Sequence, residues 1–234
     1  MEFKTIIEPF KIKSVESLPI TTEQERREFL EREHWNVFGL KSQEVTIDLL
    51  TDSGTGSMSS EQWAAIMRGD ESYAGSHSWQ RFHEVLSDLT GYKHIIPTHQ
   101  GRASEKILAT ISVKEGDIIP SNSHFDTTRA NFEFAQSNPI DLLCEEGLEL
   151  LSPAPFKGNV DLEKLEELLK GPESNKIPFV LMTITNNTGG GQPVSMDNLK
   201  KVKELCTKYN KMFLLDACRF CLLYTSPSPL DLST

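Results

Sequence analysis

Three short stretches of this chain carry side chains that can do chemistry. The apolar run Met212-Phe213-Leu214-Leu215 ends at Asp216, and Arg219 follows three residues later. Such a run reads as a buried strand that delivers a carboxylate and a guanidinium to its end. A carboxylate there could hold a proton on the nitrogen of a pyridine-type ring, which turns the ring into an electron sink; its plainer use is to cap a turn. The second stretch, T-H-Q-G-R (98–102), sits between a predicted strand and a predicted helix start, and Gly101 lets backbone approach a ligand. Unpaired N–H groups at a helix start favour a phosphate. Thr51, Ser53 and Gly54, in T-D-S-G-T-G-S (51–57), form another small-residue loop of the same kind. The third stretch, N-N-T-G-G-G-Q-P (186–193), follows the most apolar segment. An asparagine there could bond the hydroxyl of an aromatic ring, while Gly189 and Gly190 read best as turn formers. No G-x-x-x-x-G-K-[ST] is present, which excludes a P-loop NTPase, and the G-x-G-x-x-G dinucleotide fingerprint is missing too.

These loops must be held by regular elements, and the pattern supplies them. Residues 1–20 read as an extended arm. Thr22 with Glu25 forms a capping box that opens a charged helix to about His34. Residues 45–50 are strand-like. Ser59 with Gln62 caps a helix ending near Gly69, and a second helix runs from about Ser78 to Thr90, stopped by Gly91. Its Trp79, Phe82, Val85, Leu86 and Leu89, at helical spacing, read as core. From there strands and helices alternate: strands near 95–96, 117–119, 140–143, 179–184 and 212–216, and helices near 101–111, 127–136, 161–171 and 195–209. Alternation with apolar strands predicts an α/β domain with a mainly parallel sheet covered by helices. Ligands in such sheets bind beyond the carboxyl ends of the strands. The loops 51–57, 97–102, 122–128, 185–193 and 216–219 are therefore the places to search.

Composition narrows the partners. There are 24 Lys and Arg against 34 Asp and Glu, a net charge of −10 with no basic cluster, so nucleic acid is not an expected partner. No apolar run approaches the ~20 residues of a membrane span. The first residues lack a basic region followed by an apolar core, so no secretory signal is expected. Four cysteines in 234 residues suit a reducing, cytoplasmic setting. Cys218 and Cys221 form a C-x-x-C that lacks a second pair, and its spacing reads as accidental. His94 and His99 flank Pro97 without metal-ligand spacing, and no histidine reads as a zinc ligand.

The longer runs carry a resemblance. E-P-F-K-I-K-S-V-E (8–16), I-D-L-L-T-D-S-G-T (47–55), M-R-G-D-E-S-Y-A-G-S (67–76), P-T-H-Q-G-R (97–102), F-K-G-N-V-D-L-E (156–163), G-G-Q-P-V-S (190–195) and D-A-C-R-F (216–220) occur in order. Together they resemble the front part of the aromatic amino acid β-eliminating lyases, the tryptophanase and tyrosine phenol-lyase family, from about residue 8 to Phe220. The resemblance implies a pyridoxal 5'-phosphate (PLP) enzyme of fold type I. Residues 1–57 would be an N-terminal arm and part of a small domain, and 58–220 a truncated large domain. Gln100, Gly101 and Arg102 would hold the cofactor phosphate, with Ser53 nearby. Phe125 would stack on the ring, Asn187 and Arg219 would meet its hydroxyl oxygen, and Asp216 would pair with its nitrogen. Thr51 and Phe38 would line the substrate site. Tyr73 would move a proton to the leaving group, reaching in from a neighbouring subunit of a homotetramer. Gly54 and Glu71 would belong to a potassium site.

The ring-stacking segment separates two substrates. The family's tryptophan branch carries Phe-Asp-Thr-Thr there, and the tyrosine branch has Thr in place of that Asp. This chain has Phe125-Asp126-Thr127-Thr128. A carboxylate at Asp126 could assist protonation of an indole carbon, which favours tryptophan; as a plain structural device it would be the N-cap of the helix that follows. Against tryptophan, the chain lacks the insertion that bacterial tryptophanases carry before this segment. Ala103, Gly189 and Cys218 depart from the family pattern, all among small residues. Related fold-type-I lyases, such as a cysteine desulfhydrase or a threonine-aldolase-like enzyme, fit Tyr73 and the 47–55 run less well. The family's cofactor-bearing lysine is expected downstream of residue 220, so the 234-residue polypeptide is expected to be inactive, with a non-catalytic PLP-binding subunit as the alternative role. Residues 221–234, C-L-L-Y-T-S-P-S-P-L-D-L-S-T, resemble a translated library adapter and read as non-native read-through.

Overall fold

The computed structural model of the protein describes residues 17–48, 50 and 58–219. Thr51, Ser53, Gly54 and the 221–234 segment lie outside the described residues. The described residues divide into two compact units, one up to Ile95 and one from Ile96 onward.

The first unit contains α1 (Glu23–Arg32), α2 (Ser60–Arg68), α3 (His77–Thr90) and two 3-10 turns, Val37–Gly39 and Ser42–Glu44. The expected caps form. The Thr22 hydroxyl accepts from Glu25 N while Glu25 Oε2 accepts from Thr22 N, and Ser59 and Gln62 repeat the arrangement at α2. Gly91 closes α3 at φ 72°, a left-handed position that glycine adopts without a Cβ penalty. Arg32 donates through both terminal nitrogens to Glu44 at 3.0 and 2.8 Å, which ties the second 3-10 turn to α1.

Two expectations fail in this unit. Val45–Asp48 and Leu50 form no strand. β-branched residues favour extended backbone, but a strand needs a partner ladder, and this unit has none among the described residues. Instead the Thr46 hydroxyl donates to Pro19 O. The stripe on α3 is not core either: Phe82, Val85 and Leu89 are exposed, as are Trp63, Ile66 and Met67 of α2. A 3.6-residue apolar period specifies a face to be covered without saying by what.

The second unit is the expected α/β domain. A parallel four-stranded sheet is built from β1 (Ile118–Ser121), β2 (Asn138–Asp141), β3 (Phe179–Thr183) and β4 (Met212–Asp216), in the order β2-β1-β3-β4. The helices are α4 (Gly101–Ser112), α5 (Asp126–Phe134), α6 (Glu145–Leu148), α7 (Leu162–Lys170) and α8 (Met196–Lys208), with a 3-10 turn at Ser174–Lys176. Strand alternation sorts the core into two layers. Phe179 and Leu181 pack with Ile119, Ala109 of α4 and Phe132 of α5 on one face. Val180, Met182 and Ile184 pack with Leu165 and Leu169 of α7 and Val202 and Cys206 of α8 on the other.

Ile95-Ile96 is not a strand. Pro97 cannot donate to a ladder, and Ile96 is exposed. The strand expected at 140–143 lies two residues earlier, because Leu143 leaves the ladder for an isolated antiparallel bridge with Val160. No helix among the described residues is long and apolar enough to cross a membrane.

Candidate active site

The strand order sets where a ligand can sit. β1 continues to β2 on one side and β3 to β4 on the other, so the connections diverge between β1 and β3, and ligands in such sheets bind beyond the carboxyl ends at that point. The β1–β3 register is fixed at Ser121 opposite Leu181. Directly after it, the side chain of buried Asn122 replaces the ladder. It donates to Thr183 O at 3.0 Å and Gly158 O at 2.9 Å, and it accepts from Thr183 N at 2.9 Å. One residue on, Ser123 O accepts from the side chain of buried Asn186. Ile184 N in turn donates to Asp216 O, and Arg219 N donates to Ile184 O. The loops after β1, β3 and β4 are thus stitched into one rim.

The α4 start is joined to the same rim. Thr98 braces the T-H-Q-G-R loop, its hydroxyl within 2.7 Å of Ser104 Oγ. Gln100 is the N-cap of α4 but makes no side-chain cap bond, and no heavy atom lies within 4 Å of where a Cβ on Gly101 would be. One turn into α4, Glu105 accepts from the Thr127 hydroxyl at 2.7 Å and from the Thr128 hydroxyl at 3.0 Å. The starts of α4 and α5 are held together by that carboxylate, and both helix dipoles favour an anion nearby.

A second brace fixes the β1–α5 loop. His124, buried, lies 2.7 Å through Nδ1 from Asp141 Oδ1, which also accepts from His124 N. Arg129 donates to the other carboxylate oxygen at 2.6 Å. Burial, the largest single effect, raises the Asp141 carboxyl, but the His124 hydrogen bonds and the neighbouring charges, Arg129 among them, together leave that group below its ordinary value. The His124 ring meets Phe132 edge-on at 5.8 Å.

Among the described residues, three buried side-chain polar atoms have no hydrogen-bond partner within the chain: His124 Nε2, Thr183 Oγ1 and Thr185 Oγ1. Buried hydroxyls are nearly always paired, so unpaired ones at a strand end mark a place built for something else.

A family model described as beta-eliminating lyase matches residues 48–222, three quarters of the chain. The chain belongs to the beta-eliminating lyase family. It is 52% identical over 216 residues to a tryptophanase of Salinibacter ruber, covering 92% of this chain and 46% of that protein. It is 54% identical to a tryptophanase of Rhodobacter capsulatus, over 93% of this chain and 48% of that one. A tyrosine phenol-lyase of Pasteurella multocida is 44% identical, over 91% and 46% respectively. The chain spans about half the length of the curated relatives it matches.

Within this family member, Gln100, Gly101, Arg102, Phe125, Asp126, Asn187, Asp216 and Arg219 all lie in the second unit, at the start of α4, the start of α5 and the loops after β3 and β4. Phe125 is the half-buried N-cap residue of α5, and Asp126 is the first helical residue, not the N-cap, with its carboxylate accepting from Thr127 N at 2.6 Å. Asp216 lies opposite Thr183 in the β3–β4 register and also caps a turn, accepting from Cys218 N at 3.2 Å. Asn187 is exposed at the start of the glycine turn, whose Gly190 N donates to Asn187 O. The Cys218 thiol is raised by burial and by the neighbouring Asp216 charge, which argues against a thiolate role.

Tyr73, Glu71 and Phe38 lie in the first unit. Phe38 belongs to the first 3-10 turn and is exposed. Tyr73 is fully exposed on a loop folded around Asp70, whose carboxylate accepts from Ser72 Oγ, Ser76 Oγ, His77 N and Ser78 N. These bonds, led by those from Ser78, hold the Asp70 carboxyl far below the ordinary carboxylate range. Asn122, Glu105, Thr183 and the His124–Asp141–Arg129 brace are absent from the sequence reading. An acidic residue one turn past a phosphate-type loop, facing a Thr-Thr pair, was a visible signal for Glu105; for Asn122 there was none.

Proposed function

We propose that this chain is part of a PLP-dependent carbon–carbon lyase of fold type I that performs β-elimination on an aromatic amino acid, with tryptophan giving indole, pyruvate and ammonium. The observation that carries the reading is the position of Asp216 at the end of β4, on the sheet face from which α4 and α5 start. The donor set fits the cofactor: a helix start with an open Gly101 for a phosphate, a carboxylate for a ring nitrogen, and an unpaired buried hydroxyl beside that carboxylate. When bound, PLP supplies the electron sink for loss of the α-proton. Gln100, Gly101 and Arg102 hold the phosphate, with Ser53. Phe125 covers the ring, Asp216 keeps its nitrogen protonated, and Asn187 and Arg219 bond its hydroxyl oxygen. Thr51 and Phe38 are proposed substrate-binding residues. Tyr73, from a neighbouring subunit, moves a proton to the leaving group. A proton donor of this type contributes ~10²–10⁴-fold.

Asp126 supports tryptophan, because it follows the ring-stacking Phe125 directly and a carboxyl group there can assist protonation of a leaving indole carbon. Identities of 52% and 54% to the two tryptophanases, against 44% to the phenol-lyase, point the same way. Tyrosine as substrate is the second reading. Gly54 and Glu71 are proposed ligands of a potassium ion, and a cytoplasmic homotetramer is the proposed state of the whole enzyme. The test is the gene amplified from its source, read across the Phe220 codon, expressed and incubated with PLP and each amino acid. Pyruvate with indole supports tryptophan, pyruvate with phenol supports the second reading, and neither product overturns the proposal.

A further inference from the structure

Thr183 and Asp216 are register partners at the ends of β3 and β4. Alternation along β3 puts Thr183 on the face of Phe179 and Leu181, and alternation along β4 puts Asp216 on the face of Leu214, which is the same α4–α5 face. The Thr183 backbone has no freedom, since the Asn122 side chain binds both its N–H and its carbonyl. Its hydroxyl is a buried group with no partner, beside a carboxylate whose one oxygen is turned to Cys218 N.

We infer that Thr183 is a positioning residue for Asp216: its hydroxyl donates to the Asp216 carboxylate when that carboxylate faces a bound pyridinium ring. The inference rests on the PLP reading above. A strand-fixed hydroxyl defines the plane of the carboxylate and leaves one oxygen directed at the ring nitrogen. The hydroxyl stays unpaired until the ring is present, so the protein is pre-organised for the ligand at a cost to the free state.

That asymmetry gives a test with opposite signs. In the 234-residue chain, Thr183→Val removes an unpaired hydroxyl, so the ligand-free protein melts at the same temperature or higher. Pyridoxal 5'-phosphate, titrated by tryptophan fluorescence and by the induced circular dichroism of the bound ring, binds about tenfold or more weakly, the loss of one charge-assisted hydrogen bond. Thr183→Ser, which keeps the hydroxyl, binds within about threefold of the parent chain. Because Thr183 acts through Asp216, Thr183→Val has little further effect in an Asp216→Asn background. Unchanged PLP affinity in Thr183→Val, with Asp216→Asn weakened, overturns the inference and leaves the PLP reading standing. A lower melting temperature for ligand-free Thr183→Val also overturns it, since the hydroxyl then has a structural partner. No binding of PLP by the folded parent chain overturns the inference for this chain, and the reading of the whole enzyme then stands or falls on the pyruvate assay of the extended gene.

Discussion

Replacing Glu105 by alanine separates the start of α4 from the start of α5. Two hydrogen bonds are lost, from Thr127 at 2.7 Å and from Thr128 at 3.0 Å. A hydrogen bond to a charged acceptor contributes about 1.5–3 kcal/mol, and a buried donor left unpaired costs about 1–3 kcal/mol. Thr128 is 4% exposed and cannot regain water, so its bond counts fully. Thr127 is half-buried and is partly rehydrated, so its bond counts for about 1 kcal/mol or less. The expected destabilisation is therefore about 2–4 kcal/mol. Glu105→Gln keeps one acceptor and supplies an N–H that the other threonine can accept, so its loss stays near ~1 kcal/mol. Guanidinium unfolding at equilibrium, followed by circular dichroism, measures both. Glu105→Ala in a Thr127→Val/Thr128→Val background supplies the control, because the partners are gone and the penalty should largely vanish. A Glu105→Ala protein within about 0.5 kcal/mol of the parent, or a full penalty in the valine background, refutes the claim that this carboxylate ties the two helix starts together.

Three further outcomes follow from the geometry. A Cβ on Gly158 would lie 2.6 Å from Gln192 O and 3.0 Å from Pro193 O, so Gly158→Ala should cost about 1–3 kcal/mol in the same denaturation assay, and a neutral result refutes the close approach. Asp141 is held below its ordinary value, so its contribution to stability is present above the unfolded carboxylate value near ~4 and fades as pH falls through the lower folded value. Asp141→Asn should therefore be less stable at neutral pH and lose less on acidification; parallel melting-temperature curves against pH would contradict this. Lys157 is buried and its ammonium donates to Glu149 O, Leu150 O and Ser152 O, so Lys157→Met should speed amide exchange in residues 149–152, and unchanged exchange there argues that the ammonium is dispensable.

What could be read from the sequence was whatever is written locally. Caps at Thr22 and Ser59 needed a side chain and a helix start three residues apart, and both form. The apolar run at 179–184 could be placed as a buried strand because both faces of the sheet are covered there, whereas the run at 212–216 forms β4 at the edge of the described sheet, with Met212 and Leu215 exposed, so the burial expected of it fails. The 45–50 and 95–96 runs look the same locally, yet whether an extended segment joins a sheet depends on a partner that no local pattern names. The loops that carry Phe125 and Asp216 were legible through strand–helix alternation and the family resemblance, and the loop that carries Gln100 through the helix start after it and the resemblance, since 95–96 forms no strand. The ties that hold those loops were not, because Asn122 reaches Thr183 across 61 residues and Glu105 reaches Thr127 across 22. Asp126 shows the limit from the other side: its type pointed to an N-cap, but Phe125 takes that place and moves the carboxylate inside the first turn.

The Asn122 junction also bears on the order in which the sheet assembles. β1–α5–β2 lies within residues 118–141 and β3–α8–β4 within 179–216, so each half closes over a short stretch of chain. The two halves share one registered pair, Ser121 with Leu181, and the bonds of two amide side chains, Asn122 and Asn186. Closure over the longer loop costs more entropy and is repaid by fewer backbone bonds. The halves are thus expected to form as separate nuclei and dock last, with Asn122 contacts absent from the docking transition state. Weakening that side chain should then speed unfolding far more than it slows folding.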